Sequence, residues 1–201
     1  MQVSVILAHP NPGSLNHAIA AEVVRTLAEN RHAVTHHDLY AERFDPVLPS
    51  GEIPRDARLD PVIQAHCREI AVADGIVIVH PDWWGQPPAI LKGWIDRVLR
   101  PGVAYRFMEG DSGEGIPVGL LVAKAALVLN TSNTPEERER EAFGDPLERL
   151  WRDCILSLCG VPVFHRRMFS VVVTSTGEER RRWLAEVRDL VRTAFPLDPS
   201  R

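Results

Sequence analysis

The stretch GIVIVHPDWWGQPPAILKGWIDRV, residues 75–98, decides the fold class of this chain. It begins with GIVIVH at 75–80, apolar up to His80, which is typical of a strand buried on both faces of a parallel sheet. A loop rich in proline and tryptophan follows. From Pro88 to Pro101 apolar residues recur at helical spacing, and the prolines at the two ends are typical of the start and the end of a helix. The stretch therefore predicts one strand–loop–helix unit of an α/β sheet.

The same alternation of strand and helix continues along the chain. We predict strands within residues 3–8, 33–39, 75–80, 124–130 and 161–174, with helices between them. The clearest helix covers residues 145–160, with an apolar stripe formed by Leu147, Leu150, Trp151, Cys154, Ile155 and Leu158. Parallel strands joined by helical crossovers give this pattern. We expect a single α/β domain over residues 1–201, a doubly wound five-stranded parallel sheet with helices on both faces.

Composition narrows the functional classes. The net charge is −4 with 25% charged residues, so the basic excess typical of nucleic-acid binding is missing. No apolar run approaches the roughly 18 residues that span a bilayer, and the N-terminus does not resemble a signal peptide. Cys67, Cys154 and Cys159 have no disulfide or metal spacing and are predicted to pack in the core. We expect a cytoplasmic protein without membrane insertion or nucleic-acid partners.

Doubly wound sheets bind ligands beyond the carboxyl ends of their strands, where the direction of winding reverses. The loop after the first strand reads HPNPGSLN, residues 9–16. Ser14 and Asn16 offer side-chain donors, and the backbone N–H groups that open the next helix suit a phosphate. An ordinary capped helix would give the same pattern. The segment matches neither of the common glycine-rich nucleotide-binding motifs.

Two more loops open at the same edge of the predicted sheet. The loop after the third strand contains the adjacent residues Trp83 and Trp84, which are costly to leave in water. At least one is predicted to border a cavity that accepts a flat aromatic ligand. A hydrophobic lid packed on the following helix is the alternative. The loop after the fourth strand, NTSNTP at 130–135, presents short polar donors.

The segments PAILKGWIDRV (88–98) and AHPNPGSLN (8–16) resemble the NAD(P)H:quinone oxidoreductase family of flavodoxin-like proteins. Weaker matches are DLYAERFDPVL (38–48), GVAY (102–105) and LCG (158–160). The resemblance implies a flavodoxin-like fold and a bound flavin, with FAD favoured and FMN as the alternative. It also implies NAD(P)H as co-substrate, a quinone or similar small molecule as acceptor, ping-pong hydride transfer and a homodimer.

The resemblance also assigns residues to the flavin. The phosphate and ribityl chain would meet His9, Ser14, Leu15 and Asn16. The ring would lie along Pro81, Asp82, Trp83, Trp84 and Gly85, with its pyrimidine end at Asn130, Thr131, Ser132 and Asn133. Tyr105, with Phe107 nearby, would roof the active site of the partner subunit. The candidates for a direct catalytic role are Tyr105, Thr131 and Asn133, and backbone N–H groups at 131–133 would stabilise negative charge on the reduced ring.

One departure from the family concerns protons. Its animal members carry a tyrosine and a histidine after strand four, but here that stretch lacks tyrosine and Phe143 stands where the histidine would fall. Proton handling must therefore differ. The alternatives to quinone reduction are an azo- or nitroreductase, a flavin-binding regulatory subunit of a potassium efflux transporter, and an electron carrier.

Other polar groups are interpreted as structural. Lys92, Asp96 and Arg97 are expected to have structural roles, and the mixed-charge runs at 135–141 and 178–182 to be solvated helix faces. No metal site is expected at 36–38, because adjacent residues of a strand face opposite ways.

Overall fold

The protein is described by a computed structural model that covers residues 1–108, 110 and 114–197. The strands are β1 (Gln2–Leu7), β2 (Ala33–Asp38), β3 (Gly75–Pro81), β4 (Tyr105–Arg106), β5 (Val118–Gly119), β6 (Ala125–Thr131) and β7 (Phe164–Phe169). The helices are α1 (Leu15–Glu29), α2 (Pro61–Val72), α3 (Ala89–Val98), α4 (Glu136–Phe143), α5 (Pro146–Arg149) and α6 (Gly177–Ala194). A 3₁₀ turn covers Ser50–Glu52, and a π-helical segment, Leu150–Leu156, continues α5.

The large sheet has five parallel strands in the order β2-β1-β3-β6-β7. The chain moves outward from β1 to β2 and then crosses back to β3 on the other side of β1. The winding direction thus reverses between β1 and β3, as in doubly wound folds. The predicted fold class is confirmed.

Helices cover both faces of the sheet, and each face has its own core. On one face α1 and α6 pack against Val5, Leu7 and Val77; on the other, α2, α3 and α5 pack against Ile6 and Ile78. Alternate residues of β1 and β3 thus enter opposite cores, as the two-residue period of a strand requires. Both faces of the central strands are covered, which explains their mainly apolar sequences.

Helix α3 packs on the loop between β2 and the 3₁₀ turn. Gly93 permits close packing, since a Cβ there would lie 2.2 Å from the backbone oxygen of Pro46. Arg97 is buried and donates through Nε and Nη2 to the carboxylate of Glu52, at 3.0 and 2.7 Å. Its predicted structural role agrees with these contacts. Lys92 and Asp96 form an ion pair on the exposed face of the same helix.

The predicted helix at 145–160 is only partly correct. Beyond α5 the chain adopts π-helical geometry, with i→i+5 hydrogen bonds such as Ser157 N–H to Arg152 O, at 3.1 Å. A π-helix has more residues per turn than the 3.6 assumed for the stripe. The buried positions therefore shift: Cys159 is buried, whereas Cys154 and Leu158 are exposed. The prediction that all three cysteines are core residues is wrong for Cys154.

Strands β4 and β5 pair antiparallel, with Tyr105 opposite Gly119, and the sequence pattern does not reveal them. This small hairpin lies on the turn that follows the π-helical segment. A Cβ on Gly119 would lie 2.2 Å from the backbone nitrogen of Gly160, so the two glycines allow these two backbone segments to pack closely. Leu121 N–H also donates to Cys159 O at 3.1 Å.

Within the described residues, every helix is too short or too polar to traverse a lipid bilayer.

Candidate functional site

A cleft of about 710 Å³ lies beyond the carboxyl ends of β1, β3 and β6. Its walls come from the three loops singled out in the sequence. The predicted residues that line it are His9, Ser14, Leu15, Asn16, Pro81, Asp82, Trp83, Trp84, Gly85, Thr131, Ser132 and Asn133. Of the predicted flavin contacts only Asn130 is not part of the lining. The volume lies within the range of small-molecule sites, roughly 300–1,000 Å³.

The first wall is the start of α1. Ser14 is the N-cap, and its Oγ accepts the backbone N–H of His17 at 3.3 Å. Leu15 and Asn16 occupy the first turn, where backbone N–H groups have no partner within the helix. Both residues line the cleft. The positive end of a helix thus lies at the cleft, which is the position that the predicted anion site requires.

Side chains around this turn form a hydrogen-bonded chain. Ser14 Oγ lies 3.0 Å from His17 Nδ1, and His17 Nε2 lies 3.0 Å from Asp38 Oδ2 at the end of β2. His9 accepts the backbone N–H of Asn11 at 3.1 Å, and burial lowers its pKa, which favours the neutral ring. The turn is thereby held rigid before any ligand binds.

Asn16 connects the first wall to the third. Its Nδ2 donates to Thr131 Oγ1 at 2.8 Å, while its Oδ1 is buried without a hydrogen-bond partner. A hydroxyl can accept or donate, so exchanging the two amide atoms would only leave the other one without a partner. One polar atom of a cleft-lining side chain therefore remains for a ligand.

The tryptophan loop makes a tight two-residue turn. Trp83 and Gln86 exchange both backbone hydrogen bonds, each 3.1 Å, and Trp84 and Gly85 have φ values of 60° and 68°. These values fit a type I′ turn. Gly85 also has no room for a side chain, since a Cβ would lie 2.6 Å from Pro146 Cγ. The turn leaves Trp83 42% and Trp84 101% exposed, so the predicted aromatic surface borders the cleft.

The third wall differs from the prediction in one respect. The Ser132 N–H donates to Phe169 O at 3.0 Å, so it is not available to stabilise charge on a ligand. Asn133 Oδ1 accepts the N–H of Val173 at 2.9 Å, which joins this loop to the segment after β7. Thr131 O accepts the N–H of Asp82 at 2.7 Å. The loop is therefore anchored on both sides.

Asn130, a predicted contact, points away from the cleft into a buried network. Its Nδ2 lies 2.8 Å from His80 Nε2, and its Oδ1 accepts from Arg166 Nε at 2.7 Å. Trp151 Nε1 donates to the same His80 nitrogen at 3.0 Å, and His80 Nδ1 lies 2.8 Å from Pro81 O. Burial lowers the pKa of His80 to about 4, so the ring is neutral. The network supports the cleft from below.

Known proteins resemble the chain along nearly its whole length. A family model described as a flavodoxin-like fold matches residues 1–191. An uncharacterised NAD(P)H oxidoreductase of Haemophilus influenzae is 35% identical over 170 residues, 78% of this chain and 77% of its own. The ribosyldihydronicotinamide dehydrogenase (quinone) of Mus musculus is 28% identical over 98% of this chain and 94% of its own. The structure of the NAD(P)H:quinone oxidoreductase from Methanothermobacter marburgensis has a TM-score of 0.80 at 26% identity, covering 96% of both chains.

The chain belongs to the NAD(P)H:quinone oxidoreductase family of flavodoxin-like proteins. The family predicted from the sequence is confirmed.

Several residues of the cleft were not predicted from the family motifs. They are Gly13, Thr134, Arg138, Glu139, Phe143, Pro146, Val172 and Arg180. Arg138 and Glu139 belong to the charged run that was interpreted as solvated, and this interpretation is wrong for Glu139, which is 3% exposed. Glu139 and Phe143 are four residues apart, so they lie on the same face of α4. This spacing was the one sequence signal that a side of the helix faces the cleft.

Tyr105 lies outside the cleft of its own chain, in the β4–β5 hairpin. Its ring meets that of Phe107 edge to face, with centroids 5.8 Å apart, and burial raises the pKa of its hydroxyl. Arg55 lies over the Phe107 ring at 5.3 Å. The predicted contribution of Tyr105 to a partner's active site stays a prediction.

A histidine–carboxylate cluster lies away from the cleft, between β2 and α2. His37 Nδ1 and Nε2 lie 2.9 and 2.6 Å from carboxylate oxygens of Glu42 and Glu69. Trp94 Nε1 donates to His66 Nδ1 at 3.2 Å, which places the proton of that neutral ring on Nε2, toward Glu42. A nitrogen that carries a proton cannot bind a metal. Hydrogen bonding accounts for this cluster.

Proposed function

We propose that the cleft holds one flavin and that the protein catalyses the two-electron reduction of a quinone, or a similar small acceptor, by NAD(P)H. The observation that carries the proposal is the meeting of three loops around one cleft, with a helix N-terminus at one wall and two exposed tryptophans at another. When bound, a flavin supplies the hydride chemistry, and the chain supplies binding and orientation. The chain would act as one flavin-binding domain over its full length.

The donors and acceptors of the cleft fit a flavin. The first-turn N–H groups of Leu15 and Asn16 suit a phosphate, and Ser14 adds a hydroxyl. The unpartnered Oδ1 of Asn16 fits a ribityl hydroxyl, which can donate a hydrogen bond to it. Trp83 and Trp84 offer the faces on which a flat ring stacks.

The finer assignments follow the family resemblance. We expect FAD as the flavin, with FMN as the alternative. Nicotinamide and acceptor would use the same space in turn, which gives ping-pong kinetics. We expect a homodimer in which Tyr105 of one subunit covers the cleft of the other, and an acceptor that is a quinone.

The decisive experiment is to purify the protein, release any yellow chromophore and identify it by mass. Flavin-free protein is then titrated with FAD and with FMN while flavin fluorescence is followed. Steady-state assays with NADH or NADPH and a quinone should give parallel double-reciprocal lines, and sedimentation should give a dimer. Folded protein that stays colourless and quenches the fluorescence of neither flavin would overturn the proposal. Intersecting double-reciprocal lines would overturn only the expectation that nicotinamide and acceptor use the same space in turn.

A panel of acceptors separates the alternatives. Azo dyes or nitroaromatics reduced much faster than quinones would move the protein to the azo- or nitroreductase class, on the same cleft. Flavin binding without NAD(P)H oxidation would favour an electron carrier, and co-purification with a potassium efflux transporter would favour the regulatory subunit. The relatives named as NAD(P)H oxidoreductases are the reason for placing quinone reduction first.

A further inference from the structure

Two carboxyl groups meet at the wall of the cleft. Asp82 follows β3 in the tryptophan loop, and Glu139 projects from α4; both line the cleft, and Glu139 is only 3% exposed. They are close enough that each group affects the pKa of the other. The carboxylate of Asp82 is held in place, because its Oδ1 accepts the backbone N–H of Gly85 at 2.8 Å. A carboxylate can only accept, so a hydrogen bond between two carboxyl groups requires that one of them keeps a proton.

The surrounding charges indicate which group keeps it. Burial and the facing Asp82 carboxylate raise the pKa of Glu139, and burial also raises the pKa of Asp82. The charged groups that face the pair from neighbouring elements are Arg166 of β7, which opposes these shifts, and Asp145, which adds to them. The charge of Arg166 is already matched by Asp145 at 2.8 Å and Glu148 at 3.3 Å. Glu139, whose pKa is raised both by burial and by the facing carboxylate, is therefore the member of the pair suited to carry the proton. Arg166 is not part of the cleft lining, whereas the arginines Arg138 and Arg180 are among the described residues that line it.

We propose that Glu139 and Asp82 form an acid–carboxylate pair that delivers a proton to the electron acceptor in the cleft. The inference rests on the proposed function. Conversion of a quinone to a hydroquinone needs two electrons and two protons, and NAD(P)H provides both electrons with one proton. The second proton has to be added to a quinone oxygen: the Glu139 O–H bond breaks as the acceptor O–H bond forms.

The pair is also suited to recover its proton. Once Glu139 has released the proton, two carboxylates face each other in a partly buried site. Their repulsion, together with burial, favours the uptake of a new proton from water. No group other than water is needed to reset the site. The same repulsion raises the pKa of Glu139 above that of an isolated glutamate.

The first test needs no turnover. The carbonyl stretch of a protonated carboxylic acid, followed by infrared difference spectroscopy across a pH titration, should show one such group near pH 7 in wild-type protein. Glu139→Gln should remove the signal, because the amide keeps the contact with Asp82 but carries no titrating proton. Asp82→Asn should remove it too, since Glu139 then ionises without a facing charge. Glu137→Gln, on an exposed position of the same helix, should keep it.

The second test uses the flavin-loaded enzyme. We expect Glu139→Gln to reduce a quinone about 100-fold more slowly, the low end of general acid effects, and to lose much less of its rate of electron uptake from NAD(P)H. The alkaline limb of the wild-type pH profile should disappear. A titration without a protonated carboxyl near pH 7, or a variant with wild-type quinone reduction and pH profile, would overturn the inference alone. Wild-type protein that neither binds flavin nor oxidises NAD(P)H would overturn the proposed function as well.

Discussion

Acid should destabilise this protein because a neutral histidine is part of its core. His80 is fully buried, and its Nε2 lies within hydrogen-bond distance of both Trp151 Nε1 and Asn130 Nδ2. Protonation of that nitrogen would remove the lone pair to which Trp151 donates. Burial lowers the pKa of His80 to about 4, below the ordinary value of about 6.5.

The sign and size of the effect follow from linkage. As the pH falls, the unfolded chain takes up the proton first, so stability is complete above about pH 6.5 and is lost between about 6.5 and 4. A gap of about 2.5 pH units is worth about 3 kcal/mol at ~1.36 kcal/mol per unit, of which about 2 kcal/mol is gone by pH 5. His66, whose pKa burial likewise lowers to about 4, adds to the same loss.

Urea unfolding of flavin-free protein at pH 7.5 and pH 5.0 measures this loss. We expect His80→Gln to be less stable than wild type at both pH values. Its free energy of unfolding should, however, fall by about 2 kcal/mol less between pH 7.5 and pH 5.0 than that of wild type. His165→Gln, the same exchange at a partly exposed position of β7, should keep the wild-type difference. The reasoning is refuted if His80→Gln loses as much stability on acidification as wild type does.

Three further changes test the packing and the cleft. Gly93→Ala should cost ~3 kcal/mol or more in thermal unfolding, because its Cβ would overlap backbone rather than a movable side chain. Glu52→Gln should cost about 3 kcal/mol, because the buried Arg97 then faces only the exposed carboxylate of Asp45. Asp96→Asn, in an exposed pair, should change unfolding by less than ~1 kcal/mol. Trp84→Ala should leave the unfolding of flavin-free protein unchanged, since its ring is exposed, but should weaken flavin binding roughly 3- to 10-fold in a fluorescence titration.

Most of the fold could be predicted because the three central strands, β1, β3 and β6, are mainly apolar. Periodicity located all five strands of the large sheet, and their alternation with helices predicted that they run parallel. It failed where the backbone leaves the standard periods. The π-helical turns after Arg149 moved Cys154 to the surface, and the two-residue strands at Tyr105 and Val118 are too short to show any alternation.

The site could be predicted by position, because loops after parallel strands meet at one edge. The error at Asn130 was avoidable: adjacent strand residues point to opposite sides, so Thr131 in the cleft implies that Asn130 faces away. Glu139 and Arg180 were harder to find, since their part in the cleft depends on how α4 and α6 return over the sheet edge. A mixed-charge sequence does not reveal which member of the run becomes buried.

The hydrogen bonds between the loops indicate that the cleft is formed before a ligand arrives. Thr131 joins all three walls, because its hydroxyl accepts from Asn16 and its carbonyl oxygen accepts from Asp82. Ser132 in turn holds the third loop to the end of β7. A ligand that enters such a site has little backbone to order, so more of its contact energy appears as affinity. The exposed ring of Trp84 lies outside this bonded frame, and it is therefore the part of the wall whose contacts a bound flavin or a second subunit would have to supply.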